Sequence, residues 1–431
     1  MRSRTCCRNV PSALKLACLT FVAGMLALTS SFPAQAQTYT VLHAFTDGND
    51  GANPYAGVTV DQGGNLYGTA EYGGSGHCGN VFRLKLMNSV WTLTNLYEFH
   101  LTDGCAPGAK VVFGPNGTLY GTTASGGPAN AGTVFQLQPP IRTCPTSLCL
   151  WHETILYNFL GGNADGLGPS GDPVVFDAAG NLYGTTTTGG IGGCDDNTCG
   201  TAYQLSPSGG SWTETILQFF GGSSGAIPHG VILDTAGHLY GTSYYDPQGG
   251  DGTVFELTKT GGAWSLTNLY IFQNLGEGAG PWAGLVRDQQ GNLYGSTGGF
   301  GANGAGTIFK IDTADNFSVI YALTNPGGQG SFMGPGPAAK LMMDTAGNLY
   351  GTTYGDGVHG FGSVFKLSPS NGGWTYTSLH DFTGGADGGY PVSDVVMDSA
   401  GNLYGTATVG GSFVGLCNSG SGCGVVWKIT P

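Results

Sequence analysis

The sequence predicts an all-β protein, a seven-bladed β-propeller of four-stranded blades closed into a ring. Three observations carry this reading: a short motif returns at near-constant spacing, each repeat holds four strand-like runs, and the two chain ends hold complementary parts of one repeat.

The motif first occurs at residues 61–69, Asp-Gln-Gly-Gly-Asn-Leu-Tyr-Gly-Thr. Its tyrosines are Tyr67, Tyr120, Tyr183, Tyr240, Tyr294, Tyr350 and Tyr404, so successive copies lie 53, 63, 57, 54, 56 and 54 residues apart. A period slightly above the roughly 50 residues of kelch repeats points to propeller blades rather than solenoid coils. Each copy reads as a hairpin. Asp61 opens the turn through an Asx-type bond, Gly63 and Gly64 are expected to supply positive φ, and Asn65-Leu66-Tyr67 begins the returning strand. Asp177, Asp234, Asp288, Asp344 and Asp398 hold the same seat, and the second copy substitutes Gly114-Pro115-Asn116-Gly117. These aspartates therefore read as turn residues rather than catalysts.

In the third repeat the four runs are residues 173–177, 181–186, 200–205 and 212–220. The third run is the most regular, as in Val81-Phe82-Arg83-Leu84 and Val364-Phe365-Lys366-Leu367, alternating aromatic and polar with the period of a packed strand. The fourth carries Leu96-Tyr97-Glu98-Phe99 and its kin. Residues 39–45, ending Leu42-His43-Ala44-Phe45, copy the fourth run with no blade before them, and the last repeat ends on the third run at Trp427-Lys428-Ile429. The N-terminal strand is expected to complete the last blade, which hides the edges an open sheet would leave.

Residues 1–36 read as a signal peptide. Arg2, Arg4 and Arg8 precede an apolar stretch at 16–28, and Ala34-Gln35-Ala36 offers a cleavage site. Cys18 lies inside the apolar stretch rather than at its end, so it does not read as a lipidation site. Export to an extracellular or periplasmic compartment follows, with 37–431 as one propeller domain. No later segment approaches the roughly 18 uninterrupted apolar residues of a membrane span. Without the leader, 10 basic residues face 27 acidic ones, a net charge of −17 that would repel phosphate backbones and excludes nucleic acid as a natural partner.

Eight cysteines follow the leader, and an even number in an exported chain favours disulfides. Short spacings pair Cys144 with Cys149, Cys194 with Cys199, and Cys417 with Cys423. Cys78 and Cys105 remain, and both fall on loops of one propeller face. The spacings are not C-x-x-C, which argues against a metal site.

With these motifs in place, the chain resembles the GloVer tandem repeats, exported arrays with a Gly-Asn-Leu-Tyr-Gly-Thr core followed by Gly-Thr-Val-Phe-x-Leu. The resemblance spans residues 38–431 and rests on 64–69, 180–185, 291–296, 347–352 and 401–406. Gly132-Thr133-Val134-Phe135 and Gly252-Thr253-Val254-Phe255 are the companion runs. It implies a secreted or surface-held propeller and no particular activity. Relatives are held by C-terminal anchors, whereas this sequence stops at Pro431 directly after its last strand.

The candidate binding face bears the inter-blade loops and the loops between second and third strands. Asp50, Asp103, Asp165 and Asp387 lie on the former. Six residues before each turn aspartate, or before Gly114, stand Tyr55, Gly108, Gly171, Pro228, Trp282, Ala338 and Val392, a position where the repeats disagree. Tyr55 and Trp282 could present flat faces to a sugar or peptide at the channel mouth, although packing between blades is the plainer role for such aromatics. His229 and Tyr390 are further candidates. Asp47-Gly48-Asn49-Asp50-Gly51 is the densest oxygen cluster for Ca²⁺, yet it lacks the closing Glu of an EF-hand, so solvated turn residues are the better reading and no cofactor is required. Gly221-Gly222-Ser223-Ser224-Gly225 and the Gly-x-Gly-x-x-Gly match at 166–171 lie outside the strand-to-helix context that gives those patterns their mechanism.

Two function classes stay open: a non-catalytic propeller binding an extracellular carbohydrate or protein, and a polysaccharide lyase or glycosidase with channel-facing carboxylates and His229. A passive surface scaffold is a further alternative. Two carboxylates, or a carboxylate and a histidine, gathered in one pocket would favour the enzyme. Acids dispersed around the rim would favour binding.

Overall fold

The computed structural model describes residues 37–431 except 141–150, 170, 192–198, 246–249, 274, 325–335, 412–416 and 418–420. The expected leader, Cys144, Cys149 and Cys194 lie outside the described residues. Within 39–430, which form one compact unit, the described strands build seven four-stranded antiparallel sheets in a ring. Helix among them is confined to 3-10 turns such as Pro115–Gly117. None of the described helices is long and apolar enough to cross a membrane.

Blade 1 is typical: Val58–Val60 inside, then Leu66–Ala70, Asn80–Met87 and Val90–Glu98 outside. The hairpin between its first two strands is built as the residues dictate. Asp61 Oδ1 accepts the backbone N–H groups of Gly63 (2.8 Å) and Asn65 (2.9 Å), and Oδ2 accepts Asn65 Nδ2 (2.7 Å) and the Tyr67 hydroxyl (3.2 Å). One expectation changes. Only Gly64 (φ 77°) is left-handed, and the Gly63 seat needs no glycine, as Ala179 and Ala346 at the same place attest.

The glycine of Leu-Tyr-Gly has a different reason. Gly68 pairs with Phe82 across the sheet, and a Cβ there would stand 2.6 Å from the Phe82 ring. The third-strand aromatic covers the glycine, and Gly351 under Phe365 and Gly405 under Trp427 repeat the arrangement.

Blades join through aromatics and backbone. Phe99 of blade 1 packs edge-on against Phe135 of blade 2 at 4.9 Å, and Phe220 meets Phe255 at 5.0 Å. Pro107 rests on Gly79, Pro169 on Gly132, Pro281 on Gly252 and Pro391 on Gly362. Each of these glycines is left-handed, and its carbonyl accepts the N–H of Phe99, Phe159, Phe272 or Phe382.

The ring closes by the same step. Thr38–Ala44 pairs beside Val425–Thr430, completing the sheet with Leu403–Ala407 and Val396–Met397. Phe45 then meets Phe82 at 5.3 Å, Pro54 rests on Gly424, and Phe45 N–H donates to the Gly424 carbonyl at 3.0 Å. Cys78–Cys105 and Cys417–Cys423 are disulfides, and Cys199 is also disulfide-bonded.

Candidate functional site

The innermost strands start at the loop face and converge on the axis, so the residues just before them line a central cavity of about 430 Å³. Tyr55 and Trp282 face it as the spacing predicts, from blades 1 and 5 on opposite sides of the ring. Tyr244 braces Trp282 edge-on at 4.4 Å.

His229 also lines the cavity. It is 4% exposed, its ring lies 5.0 Å from that of Trp282, and its Nε2 has no hydrogen-bond partner. Burial pushes the imidazole down to about 4, so it is neutral at neutral pH.

The floor holds four charged residues that the spacing argument passed over: Lys110, Asp172, Lys340 and Asp394. Lys110 and Asp394 form an ion pair across 284 residues of sequence, with Asp394 Oδ1 left unpartnered. Asp172 reaches from blade 3 past Gly230 toward the backbone of Gly284 in blade 5. Burial, with the negative charge of Asp394, pushes its carboxyl up to about 6 against the pull of Lys340 and Lys110. Burial pushes the Lys340 ammonium down, partly opposed by Asp172. Asp172 and Lys340 each retain some exposed area while enclosed by the channel wall, so they meet solvent through the cavity. Glycines make room for these carboxylates: a Cβ at Gly230 would lie 2.3 Å from Asp172 Cγ, and one at Gly57 2.9 Å from Asp394 Oδ1. Glu71 sits at the mouth, its carboxyl raised by burial although Tyr72 and Asn53 hydrogen-bond to it.

A signal for the missed residues existed. Four residues before each turn aspartate, or before Gly114, stand Gly57, Lys110, Pro173, Gly230, Gly284, Lys340 and Asp394, and Asp172 lies one earlier in its repeat. Charges at the start of an innermost strand, in a chain with only 10% charged residues, mark an axis that is not merely packed.

The rim aspartates lie elsewhere. Asp50 accepts the Thr46 N–H (3.1 Å) and hydroxyl (2.6 Å), with His43 Nε2 3.1 Å away. Asp103 takes Tyr97 and the His100 N–H, Asp165 takes Tyr157 and the N–H groups of Leu160 and Gly166, and Asp387 takes His380 and Thr383. Each carboxylate pins its own loop, and none of the four lines the cavity. Tyr390 also stands apart, stacked on Tyr354 at 4.9 Å. Among the described residues there is no group of three or more His, Cys, Asp or Glu placed to hold a metal ion.

A family model described as Gloeobacter/Verrucomicrobia repeat matches residues 28–154 and 147–335. No curated protein matches the chain. Among solved structures, a putative 6-phosphogluconolactonase from Bacteroides uniformis is similar at 13% identity and a TM-score of 0.50, over 80% of this chain and 88% of that one. A putative oxidoreductase (glucose dehydrogenase) from Thermus thermophilus is 13% identical with a TM-score of 0.45, over 92% of this chain and 100% of that one. At such identities the likeness is one of fold alone.

Proposed function

The chain belongs to the Gloeobacter/Verrucomicrobia repeat family, and from that premise we propose that it is an exported propeller that binds an extracellular carbohydrate in the cavity at the channel mouth. The leader-like residues 1–36 and the disulfides support export. One observation carries the binding: unpartnered buried polar atoms, His229 Nε2 and Asp394 Oδ1, line the same cavity as the aromatic pair Tyr55 and Trp282. Orphaned polar atoms are costly in a packed interior and are satisfied by a ligand rich in hydroxyls. The rings supply apolar walls for the carbon faces of a sugar. A cavity of about 430 Å³ suits one or two sugar rings better than a folded protein partner. A passive scaffold has no use for four charges on its axis, where desolvation works against folding.

A glycan-array screen, run with and without Ca²⁺ and repeated on Trp282→Ala and Tyr55→Ala, tests this. Each substitution is expected to weaken binding by about tenfold, the worth of one aromatic contact. Unchanged binding in both variants would remove the cavity from consideration.

The gathering of Asp172, Asp394 and His229 in one cavity favours a second reading, a glycosidase or lyase in which Asp172, raised to about 6, is the acid. Under it, Asp172→Asn abolishes turnover of an array-positive glycan while binding persists. Under simple binding there is no turnover to lose.

A further inference from the structure

Resting on the reading of the cavity as a sugar site, we infer that its ligand is a sugar acid: a polyhydroxylated molecule whose single carboxylate pairs with Lys340 while its hydroxyls meet His229 and Asp394 beneath Tyr55 and Trp282.

The two channel lysines are in different circumstances. Lys110 has its counter-ion in Asp394. Among the described residues, no carboxylate oxygen lies within 4 Å of the Lys340 ammonium and no side-chain hydrogen bond engages it, although it lines the cavity. Asp172 is the acid that acts on it most strongly, without making an ion pair with it. An ammonium in the channel wall with no carboxylate in contact is under-satisfied, and a ligand carboxylate entering the cavity supplies that contact. One unpaired cation matches one negative charge. Lys110 is already matched by Asp394, and Glu71 in the same wall would oppose a second negative charge, so a carboxylate fits where a phosphate dianion does not. The neutral His229 ring and the free Asp394 oxygen are hydrogen-bonding groups suited to hydroxyls.

The charge of the site also depends on pH. Lys340 is faced by Asp172 of blade 3, Asp394 of blade 7, Lys110 of blade 2 and His229 of blade 4, with Glu71 and Tyr55 of blade 1 at the mouth. Lys110 and Asp394 cancel, and His229 is neutral above about 4. Asp172 binds its proton below about 6, leaving the cluster one charge more positive. Carboxylate affinity therefore rises as pH falls through 6.

Titration calorimetry on the intact protein with D-glucuronate, D-glucose and glucose 6-phosphate, at pH 5 and pH 8, tests the inference. At pH 5 glucuronate is expected to bind at least about tenfold more tightly than glucose, as a charge-assisted contact provides, and the advantage shrinks at pH 8. Lys340→Met is expected to bring the ratio of glucuronate to glucose affinity down to about one. Asp172→Asn keeps the advantage at both pH values, and this arm decides if Lys340→Met does not fold. Equal affinity for glucuronate and glucose would overturn the sugar-acid assignment and leave the sugar site standing, and tighter binding of glucose 6-phosphate would overturn the carboxylate. If none of the three ligands and no arrayed glycan binds, both readings fall together.

Discussion

At Asp344 one carboxylate takes four hydrogen bonds: the N–H groups of Ala346 and Asn348 at 2.9 Å each, Asn348 Nδ2 at 2.7 Å and the Tyr350 hydroxyl at 3.1 Å. The side chain replaces backbone partners that a tight turn leaves unmatched, so Asp, Asn and Tyr recur together. Burial pushes this carboxyl up, but the hydrogen bonds outweigh it and leave Asp344, like Asp177, Asp288 and Asp398, below the ordinary carboxylate value. Asp344→Ala is expected to cost about 1 to 3 kcal/mol of stability in urea titration. For the parent, the contribution of these aspartates is complete above the unfolded value of about 3.9 and is lost as pH falls through the lowered folded value. A variant as stable as the parent at pH 7 would show that the backbone holds the turn unaided. This layer was legible because each donor and acceptor lies within six residues of the others.

The element that most affects the architecture is the first strand, Thr38–Ala44. Tyr39 covers Trp427 and Phe382 and stacks on His380 at 3.7 Å, while Phe45 beyond the strand repeats the contact between neighbouring blades. Removal of residues 37–45 is expected to abolish the cooperative melt and to raise binding of a hydrophobic dye, because Val425–Thr430 becomes an open edge. A truncated chain that melts as sharply as the parent would mean that three strands suffice for the last blade. The strand's partner was legible from its register with Leu96-Tyr97-Glu98-Phe99 and from the missing fourth run at the other end. The proline–glycine latch was not, because Pro107 and Gly79 belong to different repeats and meet only when blades pack.

Across the whole molecule, burial raises a set of carboxyls: Asp172 and Asp356 to about 6, Glu153 and Glu214 to about 7. Raised acids favour the folded state while protonated, so their contribution is complete below the unfolded values near 4 and is lost as pH rises through 6 to 7. His229 acts oppositely: its contribution is complete above about 6.5 and is lost as pH falls toward 4. Glu71 and Asp251 are raised as well and His380 is lowered like His229, so with six such acids against two histidines thermal melting is expected at a higher temperature at pH 5 than at pH 8. The reverse order would mean that these acids are ionised and hydrated in the folded protein.

The amino-acid order alone determined the repeat, the hairpins, the alternation of third strands and the strand that closes the ring, since each is a pattern of neighbours or a count along the chain. Counting back from a turn also singled out Tyr55 and Trp282, which line the cavity. Only the tertiary structure decided that Asp50, Asp103, Asp165 and Asp387 spend their carboxylates on their own loops, and that Lys110, Asp172, Lys340 and Asp394 share one cavity. The physical reason is separation: Lys110 and Asp394 stand 284 residues apart, and circular closure is what brings the ends of seven inner strands to a common axis.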